Sequence, residues 1–192
     1  MNKSIIYFFL ICVFCSCRGN NANTKTQARK LPDMEIVIPD YGMAIMNGRD
    51  TVLSISDNMV RIVSFYDSTI CSSCEISDIW LWEVVVDSYN EEHLKVMPIL
   101  IFSPSEEKVD EVRWFLKAHP EPWPVYLDTL QLFTKANPEL NTKRHLHTFL
   151  IDNHNKVVLS GNPIKNYALI ELYQNKIDSL LIFNRTEPIL MQ

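Results

Sequence analysis

Two cysteines three positions apart, Cys71 and Cys74, are the residues whose type and spacing point most directly to chemistry. They follow a compact apolar segment, residues 61–66, which predicts a strand. Residues 72–89 contain no Gly or Pro and carry apolar side chains at helical spacing, which predicts a helix. Free N–H groups and the helix dipole lower the pKa of a thiol at a helix start. We therefore expect Cys71 to be the attacking sulfur and Cys74 the resolving sulfur of a thiol–disulfide exchange.

The elements predicted around this pair alternate between strand and helix. Asn47-Gly48 predicts the turn of an N-terminal hairpin. Further strands are expected at residues 96–102, 125–127, 148–151 and 156–159. Helices are expected at residues 105–118 and 166–183, and a short helix through Leu130, Leu132 and Phe133 is expected to be capped by Asp128. This order predicts an α/β fold with a central mixed sheet flanked by helices on both faces.

The first residues predict an export signal. Residues 5–14 form an uncharged apolar run of signal-peptide length, too short to span a bilayer comfortably. Ser16-Cys17 then resembles a bacterial lipoprotein processing site, with Cys17 lipidated; an ordinary cleaved signal or an uncleaved anchor are the alternatives. We predict an exported lipoprotein facing the periplasm, where disulfides persist. Its predicted parts are a signal peptide at 1–17, a flexible tether at 18–32, a folded domain at 33–185 and a tail at 186–192.

Composition narrows the possible functions. The 192 residues, 47% of them hydrophobic, suffice for one core and predict one domain. The net charge is −5 and no basic stripe is present, so we expect no nucleic-acid partner. Three of the five cysteines, Cys12, Cys15 and Cys17, fall in the predicted signal. The two that remain in the body exclude a disulfide-rich scaffold.

Later segments of the chain resemble a known family. PVYLD at residues 124–128, TFLID at 148–152 and KVV at 156–158 are similar to signatures of thioredoxin-like thiol–disulfide proteins of the TlpA/ResA (AhpC/TSA-like) kind. HTFLID at residues 147–152, NKVV at 155–158 and GNP at 161–163 resemble more closely a set of Bacteroidetes lipoproteins. The resemblance, over about residues 60–177, implies a thioredoxin-like fold with the hairpin as an N-terminal extension. It also implies oxidoreductase activity at Cys71 and Cys74, with protein thiols and disulfides as partners and no cofactor.

The residues expected beside the cysteine pair differ from the thioredoxin-like pattern. Ile70 replaces the aromatic residue that the family places before the first cysteine, and Ser72-Ser73 replaces the usual Pro or Gly. Leu146, followed by His147, stands where the family has a cis-proline. A cis bond before Leu would cost about 2.5–4 kcal/mol, so we expect a trans bond there.

The family also keeps a buried acidic proton acceptor on the strand before the cysteines. Phe65 falls at that position by count. Proton transfer in this chain would therefore need water or a nearby histidine.

Other functions stay open at this point. Cys71–Cys74 could be a static disulfide, although a four-residue loop gives little closure entropy. Cys71, Cys74 and His145 or His147 could bind copper(I) or zinc, as in a metal-binding or chaperone protein. A redox-inactive binding module could use the same groove. A peroxidase is disfavoured, because only Ser68 matches the residues that a peroxiredoxin needs before its reactive cysteine.

Overall fold

The computed structural model describes residues 34–53, 59–90, 96–142 and 147–186. The strands in this part of the chain are β1 (Ala44–Met46), β2 (Arg49–Thr51), β3 (Val60–Tyr66), β4 (Val96–Phe102), β5 (Val125–Leu127), β6 (Thr148–Ile151) and β7 (Val157–Ser160). The α-helices are α1 (Ser72–Ser77), α2 (Trp82–Asn90), α3 (Val109–Ala118), α4 (Leu132–Ala136) and α5 (Ile170–Thr186). Short 3₁₀ turns at Ile79–Leu81, Glu106–Lys108, Pro138–Thr142 and Tyr167–Leu169 precede or follow these helices.

The seven strands form one mixed sheet in the order β2-β1-β5-β4-β3-β6-β7. All seven residues of the central strand β3 are buried, as expected for a near-continuous apolar run with helices or loops on both faces. β3 runs parallel to β4, with Val60 opposite Val96, and antiparallel to β6, with Ser64 opposite Thr148. A parallel β-α-β core closed by the antiparallel β6–β7 pair is the thioredoxin-like fold that the sequence predicts.

The N-terminal hairpin forms where Asn47-Gly48 predicts it. Both residues have positive φ, 51° and 71°, which is the conformation of a two-residue hairpin turn. Ile45 pairs with Val125, so the hairpin extends the sheet beyond β5. At Gly48 a Cβ atom would lie 3.0 Å from the Lys117 carbonyl oxygen, so the turn packs closely on the end of α3.

Helices cover both faces of the sheet, as predicted, but unequally. One face packs against α1, α2, α3 and α5 through Ile76, Trp82, Val112 and Tyr173, among others. The other face packs against α4, the following 3₁₀ turn and residues 34–41, with Ile36, Phe133 and Leu140 in its core. Within the described residues, no helix has both the length and the apolar content to cross a membrane.

The helix predicted at residues 72–89 is interrupted. α1 ends at Ser77, and a 3₁₀ turn separates it from α2. The Ser77 hydroxyl donates to the Cys74 carbonyl at 2.7 Å and so competes for an oxygen that a continuous helix would use. The break leaves α1 as a short segment that carries the cysteines.

Candidate active site

The chain turns sharply between the end of β3 and Cys71. The Asp67 carboxylate accepts the Thr69 N–H at 2.8 Å, and the Asp67 carbonyl accepts the Ile70 N–H at 3.2 Å. These bonds form an Asx-type turn, in which a short acidic side chain substitutes for a backbone acceptor. The turn places Cys71 at the N-cap position of α1, at the carboxyl end of the central strand.

Cys71 and Cys74 form a disulfide, with their Cα atoms 5.3 Å apart. Cys71 has the extended conformation of an N-cap residue, and its carbonyl accepts the Glu75 N–H at 3.1 Å. Both cysteine side chains are exposed. The pair therefore lies at the start of a helix and open to solvent, in the location that the sequence predicts.

Three of the predicted neighbours lie around this disulfide. Ser73 Oγ is 3.5 Å from Cys71 Sγ, close enough for a weak hydrogen bond to sulfur. Ser72 points into the protein and is only 9% exposed. Ile70 is half-buried and forms part of the wall of a small cavity next to the cysteines.

This cavity, of about 180 Å³, lies between the end of β3, α1 and the start of β6. Ile70, Tyr66, His147, Glu75 and Lys165 line it. Burial raises the pKa of Tyr66 to about 12, so its hydroxyl stays protonated at neutral pH. The cavity thus brings ionisable side chains from four segments of the chain close to the disulfide.

His147 is the one predicted histidine that lies among the described residues. Its ring meets Phe65 edge-on, with the ring centroids 5.5 Å apart, and its carbonyl accepts the Phe65 N–H at 2.7 Å. Phe65 itself is buried and stacks on Phe133, on the face of the sheet away from α1. The position that the sequence assigned to the missing acidic residue is therefore filled by hydrophobic packing.

The predicted neighbour Leu146, the candidate metal ligand His145 and the lipidation residue Cys17 lie outside the described residues. The trans bond before Leu146 and the signal-peptide boundaries stay predictions. Among the residues that the structure covers, no group of three or more His, Cys, Asp or Glu side chains is placed to hold a metal ion. His147 and the cysteines thus do not form a metal site with the other described residues.

An ion cluster beside the cavity was not predicted. The Lys165 ammonium donates to the Asp78 carboxylate at 2.6 Å and lies 3.3 Å from the Glu75 carboxylate. Burial alone would lower the pKa of Lys165, but the hydrogen bond with Asp78 and the charge of Glu75 raise it above its ordinary value. Glu75 directly follows Cys74, which is the one signal in the sequence that could have identified it.

Fold and site together define a thioredoxin-like protein with a C-x-x-C pair at the carboxyl end of its central strand. Solved structures of similar fold include three bacterial proteins. A Chlorobium tepidum protein described as thiol:disulfide interchange protein DsbE has a TM-score of 0.48 and 21% identity, covering 78% of this chain and 96% of that chain. An uncharacterized thioredoxin-like protein from Porphyromonas gingivalis has a TM-score of 0.49 and 15% identity, covering 75% of this chain and 91% of that chain.

The third is the thioredoxin domain of a thiol-disulfide oxidoreductase from Bacteroides vulgatus, with a TM-score of 0.45 and 13% identity, covering 68% of this chain and 91% of that chain. No protein-family model and no curated protein matches the sequence. The assignment of the fold therefore rests on the strand order and on the position of the cysteines.

Proposed function

We propose that this protein is a thiol–disulfide oxidoreductase acting on protein thiols and disulfides, with Cys71 as the nucleophile and Cys74 as the resolving thiol. One observation carries the proposal: an exposed disulfide begins a helix directly after the central strand of a thioredoxin-like sheet. The first N–H groups of a helix have no carbonyl partner within it, and they favour a thiolate over a thiol. The reaction needs no cofactor, because the two sulfurs carry the electrons themselves.

Reduction of a client disulfide proceeds in two exchanges. The Cys71 thiolate attacks one client sulfur, and a bond forms between them while the client's own S–S bond breaks. The electron pair leaves on the second client sulfur, which takes up a proton. Cys74 then loses its proton and attacks Cys71 Sγ, so that the Cys71–Cys74 bond forms and the first client sulfur leaves as a thiolate. The client gains two electrons, and the cysteine pair loses two.

The short loop that the disulfide closes and the exposure of both cysteines favour this function over a static structural disulfide. A disulfide that closes only four residues removes little entropy from the unfolded chain and so stabilises the fold little. Both cysteine residues are also exposed, so the disulfide lies where another protein can approach it. The reverse reaction would oxidise client thiols through the same intermediates.

Reduction of insulin by dithiothreitol tests the proposal. We expect the mature protein to accelerate it, and Cys71→Ser to remove the acceleration because the thiol at the helix start, which attacks the client, is gone. Cys74→Ser should instead accumulate a mixed disulfide with the client, visible as a mass increase that dithiothreitol removes. Ser68→Ala, at an exposed position in the preceding turn, is the matched control and should retain activity. Turnover by the native sequence no greater than that of Cys71→Ser would refute the assignment.

We also propose that the protein is exported and anchored to a membrane through lipidated Cys17, facing the periplasm. The support is the apolar run at residues 5–14 and the small residue Ser16 before the cysteine. Mass spectrometry of the purified protein should find a diacylglycerol-modified Cys17 as the first residue. Cys17→Ser should leave the protein unmodified, and an unmodified amino terminus on the native sequence would contradict the proposal.

A further inference from the structure

Glu75, the residue after Cys74, belongs to a line of side chains on one side of α1. Cys71, Glu75 and Asp78 follow at i, i+4 and i+7, a spacing that brings residues to the same side of a helix. The helical hydrogen bond from the Glu75 N–H to the Cys71 carbonyl extends this spacing to the N-cap. Residues four apart on a helix have Cβ atoms about 5–6 Å apart. The Glu75 carboxylate is therefore close enough to act electrostatically on Cys71.

Lys165 joins the two carboxylates of this line. Its ammonium bonds Asp78 at 2.6 Å and Glu75 at 3.3 Å, from a segment 87 residues beyond Asp78. The Glu75 side chain is only 16% exposed, which weakens the screening of its charge by water. Lys165 and Glu75 also line the cavity that Ile70, the residue before Cys71, helps to form. The cluster thus places one positive and two negative charges along one side of α1, with Glu75 one helical turn from Cys71.

Other ionisable groups packed around α1 are either uncharged or bound to partners outside the ion cluster. Tyr66 of β3 stays neutral at physiological pH because burial raises its pKa to about 12. On α3, which packs against α1, Arg113 and Lys117 are bound to Asp50 of the hairpin. Asp67 accepts the Thr69 N–H in the turn before the cysteines.

The remaining ionisable groups near α1 either line the same cavity or are exposed to solvent. His147 lines the same cavity as Glu75. Asp110 and Glu111, on the first turn of α3, are exposed.

We propose that the ion cluster Glu75–Lys165–Asp78 controls how readily the Cys71 thiol ionises in the reduced protein. The ammonium stabilises the thiolate, and the two carboxylates oppose it. The three are positioning residues, because they act on the sulfur through their charge and form no bond with it. The inference rests on the proposed function, since ionisation matters only if Cys71 is a nucleophile.

Alkylation of the reduced mature protein by iodoacetamide tests this directly, because only the thiolate reacts. The rate of Cys71 modification is followed by mass spectrometry across pH, and its midpoint gives the ionisation of the thiol. We expect Glu75→Gln to move the midpoint down, and Lys165→Gln to move it up, each by on the order of one pH unit. Lys165→Arg should restore the native midpoint, and Glu171→Gln, an exposed residue of α5, should leave it unchanged.

Opposite shifts of the midpoint in Glu75→Gln and Lys165→Gln separate an electrostatic role from a structural one. Damage to the fold would not lower the midpoint in one variant and raise it in the other. Unchanged midpoints, or shifts of the same sign, would overturn the inference. Insulin reduction by the native sequence is measured in parallel. Normal turnover with unmoved midpoints would refute the cluster's role and leave the oxidoreductase function intact, whereas moved midpoints without turnover would refute the function alone.

Discussion

Ser64 and Thr148 connect β3 and β6 beneath the disulfide through a buried hydrogen bond, 2.9 Å between Oγ and Oγ1. Both side chains are almost fully excluded from water. Polar groups that lose their partner in such a place keep the cost of desolvation without its compensation. The hydroxyl pair is therefore a point at which a single substitution should weaken the wall of the cavity at the candidate active site.

We expect Ser64→Ala to lower the free energy of unfolding by about 1–2 kcal/mol, because it leaves the Thr148 hydroxyl without its partner. Thr148→Val should cost a similar amount by the same argument. The double variant should cost less than the sum of the two, since no buried hydroxyl is then left unpaired. Urea denaturation gives the free energy of unfolding of the native sequence, the two single variants and the double variant. Strictly additive losses of this free energy would show that the hydrogen bond contributes nothing.

Sequence reasoning found the residues whose chemistry is local and missed those that distant segments supply. Cys71 and Cys74 are recognisable because their spacing and their position before a helical pattern occur within one short stretch. Lys165 carries no such signal, because its contacts with Glu75 and Asp78 join segments that are far apart in the chain. Counting along β3 assigned Phe65 to the position of the family's acidic residue but gave no hint that α1 carries a carboxylate to the cavity.

At the scale of elements, Asp128 shows how a side chain fixes where a helix begins. Its two carboxylate oxygens accept the N–H groups of Leu132 and Phe133, at 2.8 and 2.9 Å. Sequence analysis predicted this capping but expected the helix to include Leu130. Gln131 adopts a left-handed conformation, with φ of 55°, so the helix starts later and Leu130 stays exposed. The left-handed conformation of Gln131 is set by its surroundings, and the sequence does not indicate it.

The hairpin and α3 are joined by charge as well as by packing. Asp50 of β2 accepts a hydrogen bond from Lys117 at 2.6 Å and lies 3.5 Å from Arg113. The hydrogen bond from Lys117 holds the pKa of Asp50 below its ordinary value. A carboxyl whose pKa falls on folding stabilises the fold above its unfolded pKa, and this contribution disappears as the pH falls through the folded pKa.

Asp50→Asn should therefore lower Tm slightly at pH 7, where the native carboxylate is ionised. The difference between the two proteins should shrink as the pH falls below about 4, the ordinary pKa of an aspartate. High salt should shrink it as well, because the pair is exposed and salt screens such charges. Thermal unfolding across pH measures the effect, and a Tm difference that persists at pH 2 would argue against this origin.

At the scale of the whole molecule, the first described residues complete the fold. Ile36 is fully buried, its N–H donates to the Asn155 carbonyl at 2.9 Å, and the Val157 N–H donates to the Met34 carbonyl at 2.8 Å. The Asn137 side chain bonds both backbone groups of Val37. Residues 34–38 thus cover the face of the sheet opposite α1 and extend it beside β7.

A chain beginning at Met34 should unfold at the same urea concentration as the mature protein, because the preceding residues are predicted to be a tether. A chain beginning at Asp40 should lose about 3 kcal/mol or more, from the exposure of the Ile36 pocket and the loss of the hydrogen bonds at Met34 and Val37. Equal stability of the two truncated chains would show that this segment does not contribute to the core.

The alternating order of strands and helices was predictable because each element has its own local pattern. The position of the hairpin in the sheet was not predictable in this way. It joins the sheet through the pairing of Ile45 with Val125, residues far apart in the chain, and such pairings leave no local mark in the sequence. Sequence analysis could therefore name the hairpin as an extension but could not say which strand it would meet.

Residues 34–38 and Cys71 lie at opposite ends of the central strand. The segment bonds Asn155 and Val157, in and after the turn between β6 and β7. That turn follows Ile151, which pairs with Arg61 at the beginning of β3, whereas Cys71 follows the end of β3. On the proposal that Cys17 is lipidated, residues 18–33 could span at most about 55 Å when fully extended. The disulfide would then lie at the end of the domain away from the anchor, and the length of the tether would limit how far from the membrane it could meet a client protein.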